Sequence, residues 1–279
     1  MSYHNGGGVS PSIQMHTKLP IELFEGIICH ITSAPDLYKL LLVSRALHDE
    51  AERFLYRDIS VNELRYLALA DTLRIPRIAR LVYRLEVVPS SHYRRSVDIT
   101  CLTSLHINLP HLISLKHFIL QGTLSFDKGD KHTYLLENVS NSLESLIFDS
   151  IDQEHVPLLE KQTRLTQLIM HQPGTKWNFS AFPNLVVAGC PAELFNKCLP
   201  YLNSSQSKIR RLRCTQSMPE KDAPPFHSIR VLDLFLFNND LHVLAKIVCK
   251  FPNLEYLKCT VEPDDFLVSG YALRPFLND

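Results

Sequence analysis

From about residue 78 onward an apolar phrase of the form Leu-x-x-Leu-x-Leu keeps returning, and it constrains the fold more than any other feature of this chain. It stands at Val82/Leu85/Val87, Leu115/Phe118/Leu120, Leu143/Leu146/Phe148 and Leu165/Leu168/Met170. It continues at Phe182/Leu185/Val187, Ile209/Leu212/Cys214, Ile229/Leu232/Leu234 and Leu254/Leu257/Cys259. Successive phrases mostly begin 17 to 28 residues apart; the first gap, of 33, includes a helix predicted around Leu102 to Leu112. Each phrase predicts a short strand, and a strand with its following loop or helix has a face it cannot bury alone. Stacking such units builds one continuous core. An apolar-Pro-x-Leu turn recurs as Leu109-Pro110-His111-Leu112, Phe182-Pro183-Asn184-Leu185, Leu199-Pro200-Tyr201-Leu202 and Phe251-Pro252-Asn253-Leu254. Proline there ends a helix and turns the chain toward the next strand. A mixed α/β domain with a parallel sheet would carry the same local signals.

Strand alternation predicts what faces outward. With the leucines of each phrase in the core, the opposite surface carries Glu86 and Val88, Ile119 and Gln121, Ile147 and Asp149, then Ile169 and His171. Farther on it carries Val186, Arg213 and Thr215, Asp233 and Phe235, and Lys258 and Thr260. The middle of that row is aliphatic. An exposed apolar band marks a protein-binding surface, which makes Ile119, Ile147, Ile169 and Val186 the substrate-binding candidates. A loop or the C-terminal segment covering them is the alternative, and a one-residue slip in register would exchange inside for outside.

Ahead of the phrases, residues 19 to 59 read as three short amphipathic helices with more apolar surface than so small a unit can bury. Leu19, Leu23, Ile27 and Ile31 recur every fourth residue, and Pro20 suits a first turn. Asp36 opens a second helix carrying Leu37, Leu40 and Leu41. Ser44 is the predicted N-cap of a third, whose stripe is Leu47, Ala51, Phe54 and Leu55.

This stretch resembles an F-box of the F-box-like kind. The matching residues are Leu19-Pro20, Glu22-Leu23, Ile27, Ile31, Asp36-Leu37, Leu40, Val43-Ser44-Arg45, Ala51-Glu52 and Leu55-Tyr56. The closing tryptophan of many F-boxes is absent, with Phe54, Leu55 and Tyr56 near its place. The later phrases are similar to the irregular leucine-rich-repeat region of F-box proteins common in fungi, with the asparagine expected after the strand largely missing. The fold class implied is α/β: a three-helix F-box-like module, then an irregular leucine-rich-repeat solenoid with a parallel sheet. The predicted division is a disordered tail over 1–17, the F-box-like module over 18–60, a helical linker over 61–77 and the repeats over 78–279. The resemblance implies a non-catalytic adaptor of a cullin-RING ubiquitin ligase. It would dock the Skp-family adaptor through Leu19, Pro20, Leu23, Ile27, Ile31, Leu37, Leu40 and Val43 and hold a substrate protein on the repeats. The alternative is a leucine-rich-repeat interaction scaffold whose N-terminal helices only cap the array.

Composition narrows the remaining classes. Twenty-nine basic residues balance twenty-nine acidic ones, so no global field points to nucleic acid or membrane. The seven cysteines include no Cys-x-x-Cys pair and read as reduced residues of an intracellular protein. The first seventeen residues are polar, include Gly6-Gly7-Gly8 and form no apolar signal sequence, which makes cytoplasm or nucleus the expected compartment. No nucleophile elbow, phosphate loop, dinucleotide fingerprint or His-Glu-x-x-His occurs, and no cofactor or metal is expected. His106, His111 and His117 are the densest histidines, but their spacing puts them on different faces. Two basic clusters remain: Arg74, Arg77, Arg80 and Arg84 along one predicted helix, and Lys208, Arg210, Arg211 and Arg213 beside a predicted strand. Either could hold a phosphorylated or acidic motif through arginine forks, or be plain solvated surface.

Overall fold

The computed structural model describes residues 20–90, 97–121, 133–151, 156–173, 182–191, 202, 207–215, 225–237 and 248–262. The chain divides into two compact units, Met1–Leu55 and Tyr56–Asp279. No helix among the described residues is long and apolar enough to cross a membrane.

Three helices build the described part of the first unit: α1 (Ile21–Ile28), α2 (Ala34–Leu41) and α3 (Arg45–Arg57), the last running on into the second unit. Pro35 occupies the first turn of α2, where its missing N–H is harmless. Asp36 sits beside the helix's positive end and pairs with Lys39 at 2.9 Å. Ser44 Oγ accepts the Leu47 N–H at 3.3 Å and so caps α3. Arg53 of α3 reaches Glu25 of α1 at 2.7 Å and also binds Glu50 one turn back. Ile28, Leu37 and Ala51 are buried.

Among the described residues the second unit is mixed α/β around nine parallel strands that follow one another across the sheet in chain order. They are β1 (Asp58–Asn62), β2 (Arg84–Val88), β3 (His117–Leu120), β4 (Ser145–Ile151) and β5 (Gln167–Pro173), then β6 (Val187–Pro191), β7 (Arg211–Thr215), β8 (Val231–Phe237) and β9 (Tyr256–Glu262). The connections hold short helices, among them α4 (Glu63–Leu69), α5 (Pro76–Ala79) and α6 (Ile99–Asn108). One pairing row runs through Ile59, Leu85, Phe118, Leu146, Leu168, Ala188, Leu212, Leu232 and Leu257. Two residues on, Val87, Leu120, Phe148 and Met170 form the next core row, and Cys214, Leu234 and Cys259 extend it. Nearly all of these side chains belong to one buried cluster. At roughly 1.5–3 kcal/mol for each fully buried aliphatic or aromatic side chain, this face dominates the cohesion of the unit.

The residue before each strand extends the pairing. Tyr83 donates its N–H to Arg57 O, Lys116 to Tyr83, Glu144 to Lys116, Thr166 to Glu144 and Val186 to Thr166, and the series runs on through Arg210 and Arg230 to Glu255. The turns are tied as well. In the two Phe-Pro-Asn-Leu turns the leucine N–H closes on the phenylalanine carbonyl, while Asn184 Nδ2 reaches Thr163 O at 3.0 Å and Asn253 Nδ2 reaches His227 O at 2.8 Å. These amides give the proline turn a second function, binding each turn to the one before it.

Three expectations need correction. In β6 the phrase is Leu185/Ala188/Cys190, not Phe182/Leu185/Val187, because Ala188 pairs with Leu168 and Leu212. Phe182 occupies the preceding turn and points into the core. The sheet also starts one strand earlier than the phrases showed, at Tyr56/Ile59/Val61, with Ile59 in the core and Tyr56 and Val61 packed on it. With both changes the phrases begin 20 to 28 residues apart, save the one gap of 33. The single helix expected to carry Arg74, Arg77, Arg80 and Arg84 does not form. Pro76 holds Ile75 in the extended region (φ −70°, ψ 115°), so Arg74 ends a 3-10 turn, Arg77 lies in α5 and Arg84 in β2.

Candidate functional site

On the outward face of the sheet one pairing row reads Ser60, Glu86, Ile119, Ile147, Ile169, Gly189, Arg213, Asp233 and Lys258. The apolar band read from sequence is thus largely in place, but it is not open. Ile119 and Ile169 lie outside the core cluster and are still only 6% and 4% exposed; Ile147 is half-buried. In-register isoleucines on adjacent parallel strands, about 4.8 Å apart, shield one another's flanks. Ile119 and Ile169 are therefore withdrawn as free contact residues. Val186 is withdrawn from the band for a different reason. It is exposed, but it lies one residue before β6 in the entry ladder, and its place in the row belongs to Gly189. That glycine is required: a Cβ there would stand 2.8 Å from Ile169 Cγ2.

Beyond Gly189 the row becomes charged. Arg211, one row back, donates from Nε at 2.9 Å and Nη2 at 2.6 Å to Asp233 Oδ2. Asp233 is 9% exposed, and its other oxygen, Oδ1, is buried and accepts no hydrogen bond. Burial pulls the pKa of Arg213 down; Asp233 works against that shift and Arg211 adds to it. Arg211, Arg213, Asp233, Leu234, Lys258 and Thr260 line one pocket. The sequence groups Arg211 and Arg213 with Lys208 and Arg210 in a basic cluster flanking one strand. The outward row read from sequence does set Arg213, Asp233 and Lys258 on successive strands, but does not show the ion pair of Arg211 with Asp233, because that contact runs diagonally between paired strands.

The N-terminal candidates separate by burial. Pro20, Leu23, Ile27 and Val43 are exposed, with Leu23 at 49%, Ile27 at 54% and Val43 at 65%. Ile31 and Leu40 are half-buried. Leu37 is buried, so its side chain is a core group and is not offered to a partner. Leu19 lies outside the described residues. Sequence reading passed over Tyr38 and Leu42, which are 59% and 74% exposed. Leu23 and Ile27 lie one turn apart on the same face of α1.

No protein-family model matches this chain, and no curated protein matches it at a significant level. The geometry and the residues themselves carry the functional reading.

The polar groups elsewhere are structural in character. Asn108 Nδ2 donates to Tyr66 Oη and Ala70 O, both at 3.1 Å, inside the core. The buried Glu63 carboxylate accepts from Asp98 N at 2.9 Å and from Ser90, clasping two loop segments. His106 meets Asn138 at 2.8 Å, and the His117 ring lies 5.0 Å from that of Tyr83. Burial holds the His117 pKa below its ordinary value.

Proposed function

We propose that this chain is a substrate-recognition adaptor of an SCF-type cullin-RING ubiquitin ligase. Its N-terminal helices form an F-box-like module that docks the Skp-family adaptor. Its parallel sheet is the working face of a degenerate leucine-rich-repeat solenoid that receives the target protein. The strict chain order of nine parallel strands, with one phrase at a constant offset in each, supports the repeat reading. The observation that carries the docking reading is the exposure of Leu23, Ile27, Leu42 and Val43 on short helices in a balanced-charge chain. Large aliphatic side chains gathered in so small a unit mark a surface that a partner covers. Helical docking of this kind is apolar at its centre and polar at its rim.

The chain lends proximity and performs no chemistry of its own. Bringing a target lysine near a charged ubiquitin donor turns an encounter between two molecules into an event within one assembly. The experiment is capture of the purified Skp-family adaptor by the full chain. A wild-type chain that captures it and a Leu19→Ala/Pro20→Ala double variant that does not would support the assignment. Equal capture by both would defeat it.

A further inference from the structure

Leu42 and Val43 stand in the short turn between α2 and α3, and at 74% and 65% they are the most exposed large hydrophobic side chains among the described residues. Water drives such side chains back onto the nearest apolar surface, so holding them out needs a restraint. The restraint comes from α3. The last carbonyls of α2 have no helical N–H to accept from, and a histidine placed near them can supply one. His48, half-buried in the first turns of α3, sets its ring Nδ1 2.9 Å from Leu41 O, at the end of α2. A carbonyl oxygen only accepts, so Nδ1 carries the hydrogen and donates it. Nε2, on the other side of the ring, faces the Glu52 carboxylate at 4.0 Å.

The turn's own hydrogen bonds stay local. The N–H groups of Leu42 and Val43 go back to Lys39 O and Leu40 O, at 3.1 Å and 3.2 Å. Ser44 works forward instead, its Oγ accepting from Leu47 N and its carbonyl from His48 N. The His48 ring crosses from one helix to the other.

We infer that His48 is a positioning residue for adaptor docking: by tying the end of α2 to α3, it holds Leu42 and Val43 out in the arrangement that the Skp-family adaptor meets. His48 acts through the turn, and Leu42 and Val43 make the contact. A turn already fixed spares the complex the cost of ordering it on binding. The inference rests on the docking proposed above.

Two measurements on the full chain test it: calorimetric titration with the purified Skp-family adaptor, and amide hydrogen exchange without the adaptor. His48→Ala is expected to weaken binding about fivefold, the worth of one net hydrogen bond, and to speed exchange at the Leu42 and Val43 amides. His48→Asn keeps an N–H donor near the place of Nδ1 and should recover part of both losses. Denaturant unfolding of each variant is read alongside. A histidine that serves stability alone would lower the unfolding midpoint and leave the affinity of the folded chain unchanged, which overturns the inference. Unchanged exchange at Leu42 and Val43 in His48→Ala overturns it as well. Equal binding by wild type and His48→Ala sinks this inference and leaves the docking proposal standing, whereas a wild-type chain that takes no adaptor defeats both.

Discussion

At the scale of single residues, Gly189 is the most informative position. Its neighbour in the row is Ile169, and the space for a side chain there is already filled by that isoleucine's branched carbon. Gly189→Val should therefore cost about 1–3 kcal/mol in denaturant unfolding, as overpacked sites do. Adding Ile169→Ala should return part of that loss, a coupling that exists only if the two residues face one another across β5 and β6. Strictly additive effects would contradict the register. The cysteines give a second reading of the same fold. Burial pushes the Cys101 and Cys214 thiols up to about 12, while Cys29 and Cys249 are exposed. Since the thiolate is the reactive form, iodoacetamide near pH 8 should label Cys29 and Cys249 quickly and reach Cys101 and Cys214 only on unfolding. Peptide mass spectrometry checks this directly, and early labelling of Cys214 would place β7 wrongly.

At the scale of elements, what was legible in the sequence and what was not have separate physical causes. Leu115/Phe118/Leu120 and six other phrases fell in true register because leucine spacing alone marks a strand that buries one face. Tyr56/Ile59/Val61 escaped because the phrase begins inside α3, where the helical period hides a strand period. The β6 phrase slipped because its central residue is Ala188, too small to stand out beside Phe182 and Leu185. Outside β6, inward and outward positions came out correctly, but exposure did not, since covering Ile119 and Ile169 depends on neighbours remote in the chain. The turns carry their own stabilising contacts. Phe226 and Phe251, at equivalent turn positions before β8 and β9, stack with ring centroids 5.0 Å apart. Phe251→Ala should cost about 3–5 kcal/mol, and a double-mutant cycle with Phe226→Ala should show about 0.5–1.5 kcal/mol of coupling. On α1 the expectation is the reverse. Leu23→Glu/Ile27→Glu should leave stability within about 0.5 kcal/mol per site, because both side chains already meet water. A large loss of stability there would mean that these residues serve the core and are not free to dock.

At the scale of the whole molecule, two compact units carry two kinds of surface: aliphatic side chains left in water on short helices, and a sheet face that passes from isoleucines to a pocket of cations. An adaptor needs that division, with one surface constant for the ligase and the other particular to the target. The most direct measurement is a calorimetric titration of the purified Skp-family adaptor into the full chain and into the Leu23→Glu/Ile27→Glu variant. The account predicts saturable one-to-one binding by the wild-type chain and none by a variant that unfolds at the same denaturant concentration. Absence of heat with the wild-type chain, or unchanged binding by the variant, would contradict it and leave a repeat scaffold as the function.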